Sequence, residues 1–85
     1  MFDNDSNRKV LDLRRERIVN VDLREREDIA ESHVLDLEGQ LIDDEGLSYL
    51  HGRNNILFLV VKRTRVTPEG VFQLQQTIPR AWIWH

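Results

Sequence analysis

The sequence predicts a small α+β fold: an antiparallel sheet with one main helix packed on a face. Three observations predict it. Asn55 to Val66 is rich in β-branched and apolar residues, Thr67-Pro68-Glu69-Gly70 has turn chemistry, and Asp28-Ile29-Ala30-Glu31 opens a stretch of helical spacing. The rival arrangement is an all-β small barrel in which residues 34–43 form a hairpin instead of helix.

In chain order, residues 1–8 are polar and are expected to form a disordered tail, leaving 9–85 as one domain. Leu11 and Leu13 alternate with polar neighbours, which allows residues 9–13 to join the sheet. From Arg17 to Arg24 the alternation is clean: Val19, Val21 and Leu23 on one side, Asn20, Asp22 and Arg24 on the other. That period of two predicts a half-buried strand over 17–24. Asp28 with Glu31 three residues on has the form of a capping box. Ile29, Ala30, His33, Val34, Leu37 and Leu41 then recur at helical spacing, predicting a helix over 28–38 with Gly39 at its C-terminal cap. Asp43 or Asp44 caps a second, short helix through Leu47 and Leu50, stopped by Gly52.

The C-terminal part reads as a β-hairpin over residues 55–78. Ile56 to Val61 is apolar on both faces, as in a strand buried on both sides. Pro68 and Gly70 suit a type I turn with a bulge, which sets Arg65 opposite Gln73 and Arg63 opposite Gln75. Pro79 ends the second strand, and Arg80 to His85 forms a Trp-bearing tail that extends the sheet over 81–84. The two Leu-Asp-Leu tripeptides at 11–13 and 35–37 are within chance for this composition, so no internal repeat is expected.

Composition narrows function mainly by exclusion. At 85 residues the core is small, which favours a partner or a second copy of the chain. With 40% hydrophobic and 32% charged residues the chain is too apolar to be disordered throughout. It has no cysteine, so a thiolate metal site, a Cys nucleophile and a disulfide scaffold are all excluded. The lack of a signal-like start or a long apolar run fits a soluble, cytoplasmic protein with no membrane partner. The net charge of −3 is unevenly spread: Asp36, Glu38, Asp43, Asp44 and Glu45 make the middle acidic, and Arg53, Lys62, Arg63, Arg65 and Arg80 make the end basic.

Each constellation has a plain structural account beside its functional one. Asp43-Asp44-Glu45 lacks the spacing of a calcium loop and is accounted for by helix capping. His33, His51 and His85 share no ligand spacing. Ser6, Ser32 and Ser48 sit in no nucleophile context, and no Gly-rich phosphate loop exists. No catalytic residue, metal, cofactor or small-molecule substrate is therefore expected. Two surfaces remain. Arg63, Arg65, Gln73 and Gln75 on one hairpin face, with Arg80, suit phosphate or nucleic-acid contact, against a plain solvated sheet face. Trp82 and Trp84 suit a protein contact, against a role in sealing this protein's own core. The expected function is a non-enzymatic interaction or regulatory protein that docks another protein and self-associates as a homo-oligomer. A nucleic-acid-binding protein using the basic hairpin face is the alternative.

Overall fold

A computed structural model describes residues 9–85, and its elements recur at a fixed interval along the chain. The order is β1 (Val10–Asp12), α1 (Asn20–Glu25), α2 (Glu27–Ala30), β2 (Val34–Asp36), α3 (Asp44–Ser48), β3 (Phe58–Val60), α4 (Pro68–Thr77) and β4 (Trp82–Trp84). The strands form one sheet in sequence order, every pair parallel. Val10, Val34, Phe58 and Trp82 stand side by side, each 24 residues after the last. The chain is thus a short solenoid in which each coil supplies one strand and helical structure, α1 with α2 in the first coil and a single helix in each of the next two.

The backbone hydrogen bonds repeat with the coil. Leu13 N–H donates to Asp36 C=O, Leu37 to Val60 and Val61 to Trp84, at 3.0, 2.8 and 2.7 Å. Side chains stack in the same register. Leu11, Leu35, Leu59 and Ile83 form one column, Leu13, Leu37 and Val61 a second, Ile18, Ile42 and Val66 a third, and Leu23, Leu47 and Val71 a fourth. Their buried members belong to one core, so coils bury apolar area chiefly against their neighbours. Gln40, a buried polar side chain, closes the first turn: its Oε1 accepts from Ile18 N–H and its Nε2 donates to Arg14 C=O.

The helical layer has its own repeating seam. Asn20 Oδ1 accepts from Asp43 N–H at 3.1 Å, and its Nδ2 donates to Asp43 Oδ1 at 2.8 Å. One coil on, Asp44 Oδ1 accepts from Thr67 N–H at 2.8 Å, and its Oδ2 accepts from the Thr67 hydroxyl at 2.5 Å. Asp43 and Thr67 in turn cap α3 and α4, accepting from Glu45 and Gly70 N–H. Each cap residue therefore holds both its own helix and the preceding coil. A Cβ at Gly46 would overlap Asn20, and one at Gly70 would overlap the Asp44 carboxylate. These two glycines, 24 apart, leave room for the seam.

Several expectations are corrected here. The sheet is parallel rather than antiparallel, and among the described residues four helices accompany it, which makes the arrangement α/β; the barrel alternative falls with it. Residues 55–78 are no hairpin. Thr67-Pro68-Glu69-Gly70 starts helix α4, with Thr67 as N-cap and Pro68 in the first turn, where its missing N–H costs nothing. The pairings Arg65–Gln73 and Arg63–Gln75 therefore do not form. Residues 17–19 are irregular, with Val19 in an isolated parallel bridge to Leu41, and are followed by α1, in which only Leu23 is buried. The helix expected over 28–38 splits into the single turn α2 and strand β2. Gly39, at φ 79°, lies in the turn after β2. The Leu-Asp-Leu tripeptides mark the repeat that composition had assigned to chance. The short helix capped by Asp43, and the strands at 9–13, within 55–66 and at 81–84, agree in kind with the sequence reading. The tail expected over residues 1–8 lies outside the described residues.

Candidate docking surface

Strand alternation decides what each face presents. The central residue of each strand (Leu11, Leu35, Leu59, Ile83) turns towards the helices and the core. The flanking residues turn the other way, so Val10, Asp12, Val34, Asp36, Phe58, Val60, Trp82 and Trp84 make up the opposite face. The helices pack on the leucine side, and among the described residues nothing covers this second face. Parallel sheets are otherwise almost always covered on both faces.

The open face has two halves. Across β3 and β4 it is aromatic: Trp82 is 68% exposed, Trp84 is 50% exposed, and Phe58 is half-buried beside them. The Phe58 and Trp84 rings meet edge to face, with centroids 5.3 Å apart and planes at 64°. That contact orients one indole while leaving it open to solvent. Across β1 and β2 the face is acidic, but its charge is bound. Arg14 grips Asp12 through Nε and Nη2 at 2.9 and 2.8 Å and lies 3.4 Å from Asp36.

The guanidinium of Arg14 holds the Asp12 carboxyl down to about 2 from its ordinary 3.8, mainly through the side-chain hydrogen bond. Asp12 is depressed in the folded state, so its contribution to stability is present above the ordinary value and is lost as pH falls through about 2. An NMR titration is expected to place the Asp12 midpoint near that value, and Arg14→Gln to return it towards 3.8. A midpoint that Arg14→Gln leaves unmoved would contradict the pairing. Asp28 and Asp43 are also held below the ordinary carboxylate range, by the side chains of Arg26 and Asn20 respectively.

The other residues singled out in the sequence are dispersed. Arg63 and Arg65 lie in the loop after β3, and Gln73 and Gln75 lie on α4. Arg63 holds a φ of 59° and approaches Glu38 at 3.6 Å. It stands one coil after Gly39, whose φ is also positive, so the turn after the strand imposes a left-handed residue in both coils. Gln75 is a structural staple: its Nε2 donates to Ile78 and Ala81 C=O and ties α4 to the start of β4. Gln73 reaches only Glu69 on its own helix. Arg80, with Asn54 and Pro79, lines a surface cavity of about 380 Å³. Of the seven residues, only Trp82 and Trp84 are brought together on one face.

Phe58 and Val60 were missed as partners of these indoles. The signal that finds them is the 24-residue interval, which carries Val10-Leu11-Asp12-Leu13 onto Val34-Leu35-Asp36-Leu37 and then onto Phe58 to Val61. Among the described residues no three His, Cys, Asp or Glu side chains gather as a metal site, and no helix is long and apolar enough to cross a membrane. Compared with protein-family models, with curated proteins and with solved structures, the chain matches none.

Proposed function

We propose that this chain is a docking module whose binding surface is the open face of its parallel sheet, centred on Trp82, Trp84 and Phe58. The observation that carries this reading is the exposure of both indoles on a sheet face that none of the described helices covers. Trp is enriched at the few positions that dominate binding energy, and solenoids use their open sheets as extended binding surfaces. A strand and a helical segment in each turn of roughly 20–29 residues is also the geometry of leucine-rich repeats, and a 24-residue coil falls within that range. Protein contact is favoured over nucleic acid because Arg63 and Arg65 lie in the loop after β3 and Arg80 in the turn before β4, while the exposed sheet carries rings and paired carboxylates.

The test uses peptides selected from a random displayed library on the full chain. Selected peptides are expected to lose roughly 100-fold or more in affinity for the Trp82→Ala, Trp84→Ala double variant, the scale of two hot-spot truncations. They are expected to bind Phe72→Ala, an exposed apolar control on α4, as well as the wild type. The double variant keeps its circular dichroism and melts within a few degrees of the wild type. Peptides that bind the double variant undiminished overturn the reading, as does a double variant that unfolds, since the indoles would then belong to the core.

A further inference from the structure

Beyond its face, strand β4 has an edge, and we infer that this edge pairs with the same edge of a second copy to form an isologous dimer. The inference rests on the reading of Trp82 and Trp84 as docking residues and names their occupant. Trp82 N–H donates to Leu57 C=O, and Trp84 C=O accepts from Val61 N–H. Both residues thus turn their peptide groups towards β3, and strand alternation turns the N–H and C=O of Ile83 outward. Among the described residues no strand pairs with that outer side.

The two ends of the sheet differ in how they protect their edges. β1 is flanked by Lys9 and Arg14 and carries Asp12, and charges of this kind blunt edge pairing. β4 itself carries no charge, its nearest ionisable neighbours being Arg80 and His85, whereas Asp12 lies within β1. An edge with one central residue whose donor and acceptor are both free is self-complementary about a two-fold axis. Pairing Ile83 with its copy in antiparallel fashion makes two backbone hydrogen bonds. It also sets Trp82 of each protomer opposite Trp84 of the other, in the close, non-hydrogen-bonded positions where Cα atoms lie about 4.5 Å apart. The indoles then stack across the dimer on the open face, and the half-buried Ile83 gains the neighbour that Leu35 and Leu59 already have.

Head-to-tail stacking of β4 on β1 is disfavoured by the seam in the helical layer. Coil three carries Pro68 where coils one and two carry Asn20 and Asp44, so it offers no side chain to the next cap. Coil one carries Asp22 where the later coils carry Gly46 and Gly70, so a preceding seam has no room. The closed dimer is therefore favoured over a filament. The exposed parts of the two indoles bury roughly 300 Å² per protomer, against about 800 Å² in a standard interface. An area of that size is that of a weak, transient contact.

Sedimentation equilibrium on the full chain is expected to show a mass rising from one chain to two between about 1 and 500 µM. A filtered NOE experiment on a mixture of labelled and unlabelled chain is expected to show an intermolecular contact between Trp82 Hα and Trp84 Hα. Trp84→Lys, at an exposed position, is expected to leave the fold intact and to shift the mass curve to at least ten times higher concentration. A chain that stays monomeric throughout overturns the inference, and so does a dimer that lacks this contact or ignores Trp84→Lys. Either result leaves the docking face to be judged by its selected peptides.

Discussion

Gly70→Ala is expected to destabilise the chain by about 2–4 kcal/mol, and the same substitution in an Asp44→Ala background is expected to stabilise it slightly. Alanine is ordinarily better than glycine inside a helix by roughly 1 kcal/mol. Gly70 sits in the first turn of α4 with no positive φ, so its backbone gives no reason for glycine. The reason lies one coil back, where the Asp44 carboxylate occupies the space a Cβ would need. Asp44 is short and already committed to the N–H and hydroxyl of Thr67. Displacing it breaks two charge-assisted hydrogen bonds, each worth about 1.5–3 kcal/mol, with only part of that recovered from water. Removing Asp44 first removes the conflict, and only the helix preference remains. Urea unfolding of the wild type, both single variants and the double variant measures the coupling. Equal costs in both backgrounds would show that the seam does not constrain position 70.

Leu59→Ala is expected to cost about 2–5 kcal/mol, the range for truncating a fully buried leucine, and to lower the melting temperature by some 10–25 °C. Leu59 is wholly buried between Leu35 and Ile83 in the central column. A domain of this size holds only about 4–13 kcal/mol in total, so the variant sits near the limit of folding. The column also predicts a pattern of coupling. Substitutions at Leu35 and Leu59, 24 residues apart, are expected to be non-additive by about 0.5–3 kcal/mol, whereas Leu11 and Leu59, two coils apart, add. The milder substitutions Leu→Val keep the double variants folded for the measurement. Coupling between Leu11 and Leu59 as large as that between neighbours would argue against linear stacking.

Much of the fold was legible one segment at a time, and little of it from the relation between segments. The Ile56–Val61 run announced a strand, although it read as buried on both sides and only the Leu59 side of β3 is buried; Asp43 announced a helix start, and the alternation of Trp82, Ile83 and Trp84 placed both indoles on one side. What failed was the choice between periods. Thr67-Pro68-Glu69-Gly70 serves equally as a type I turn and as cap, N1, N2 and N3 of a helix. Phe72, Leu74 and Ile78 fit a strand, while Val71, Leu74 and Ile78 fit a helix, and burial of the second set decided it. Val19 to Leu23 alternates in sequence, yet Ile18 and Leu23 are the side chains that find the core. Strands of three residues are too short to declare a period, and their partners lie 24 residues away, where a local pattern cannot reach. Spacing at that distance was the readable signal: Leu-Asp-Leu with Leu-Asp-Leu, Ile18 with Ile42, Leu23 with Leu47, and Gly46 with Gly70.

The candidate surface was legible in the same partial way. The indoles stood out by residue type, but Phe58 and Val60 join them only through the register of β3 and β4. The basic patch depended on a hairpin, and once residues 68–77 are helical its members separate.

The central claim is that a parallel 24-residue coil sets Phe58, Trp82 and Trp84 on one open face. Backbone and ring NOEs on the isotopically labelled chain test it most directly. The expected result is a parallel pattern linking β3 to β4 in the register Phe58–Trp82 and Val60–Trp84, sequential amide contacts through residues 68–77, and a contact between the Phe58 and Trp84 rings. Cross-strand Hα contacts between residues 63–66 and 71–75 would contradict it, since only an antiparallel hairpin brings those segments together.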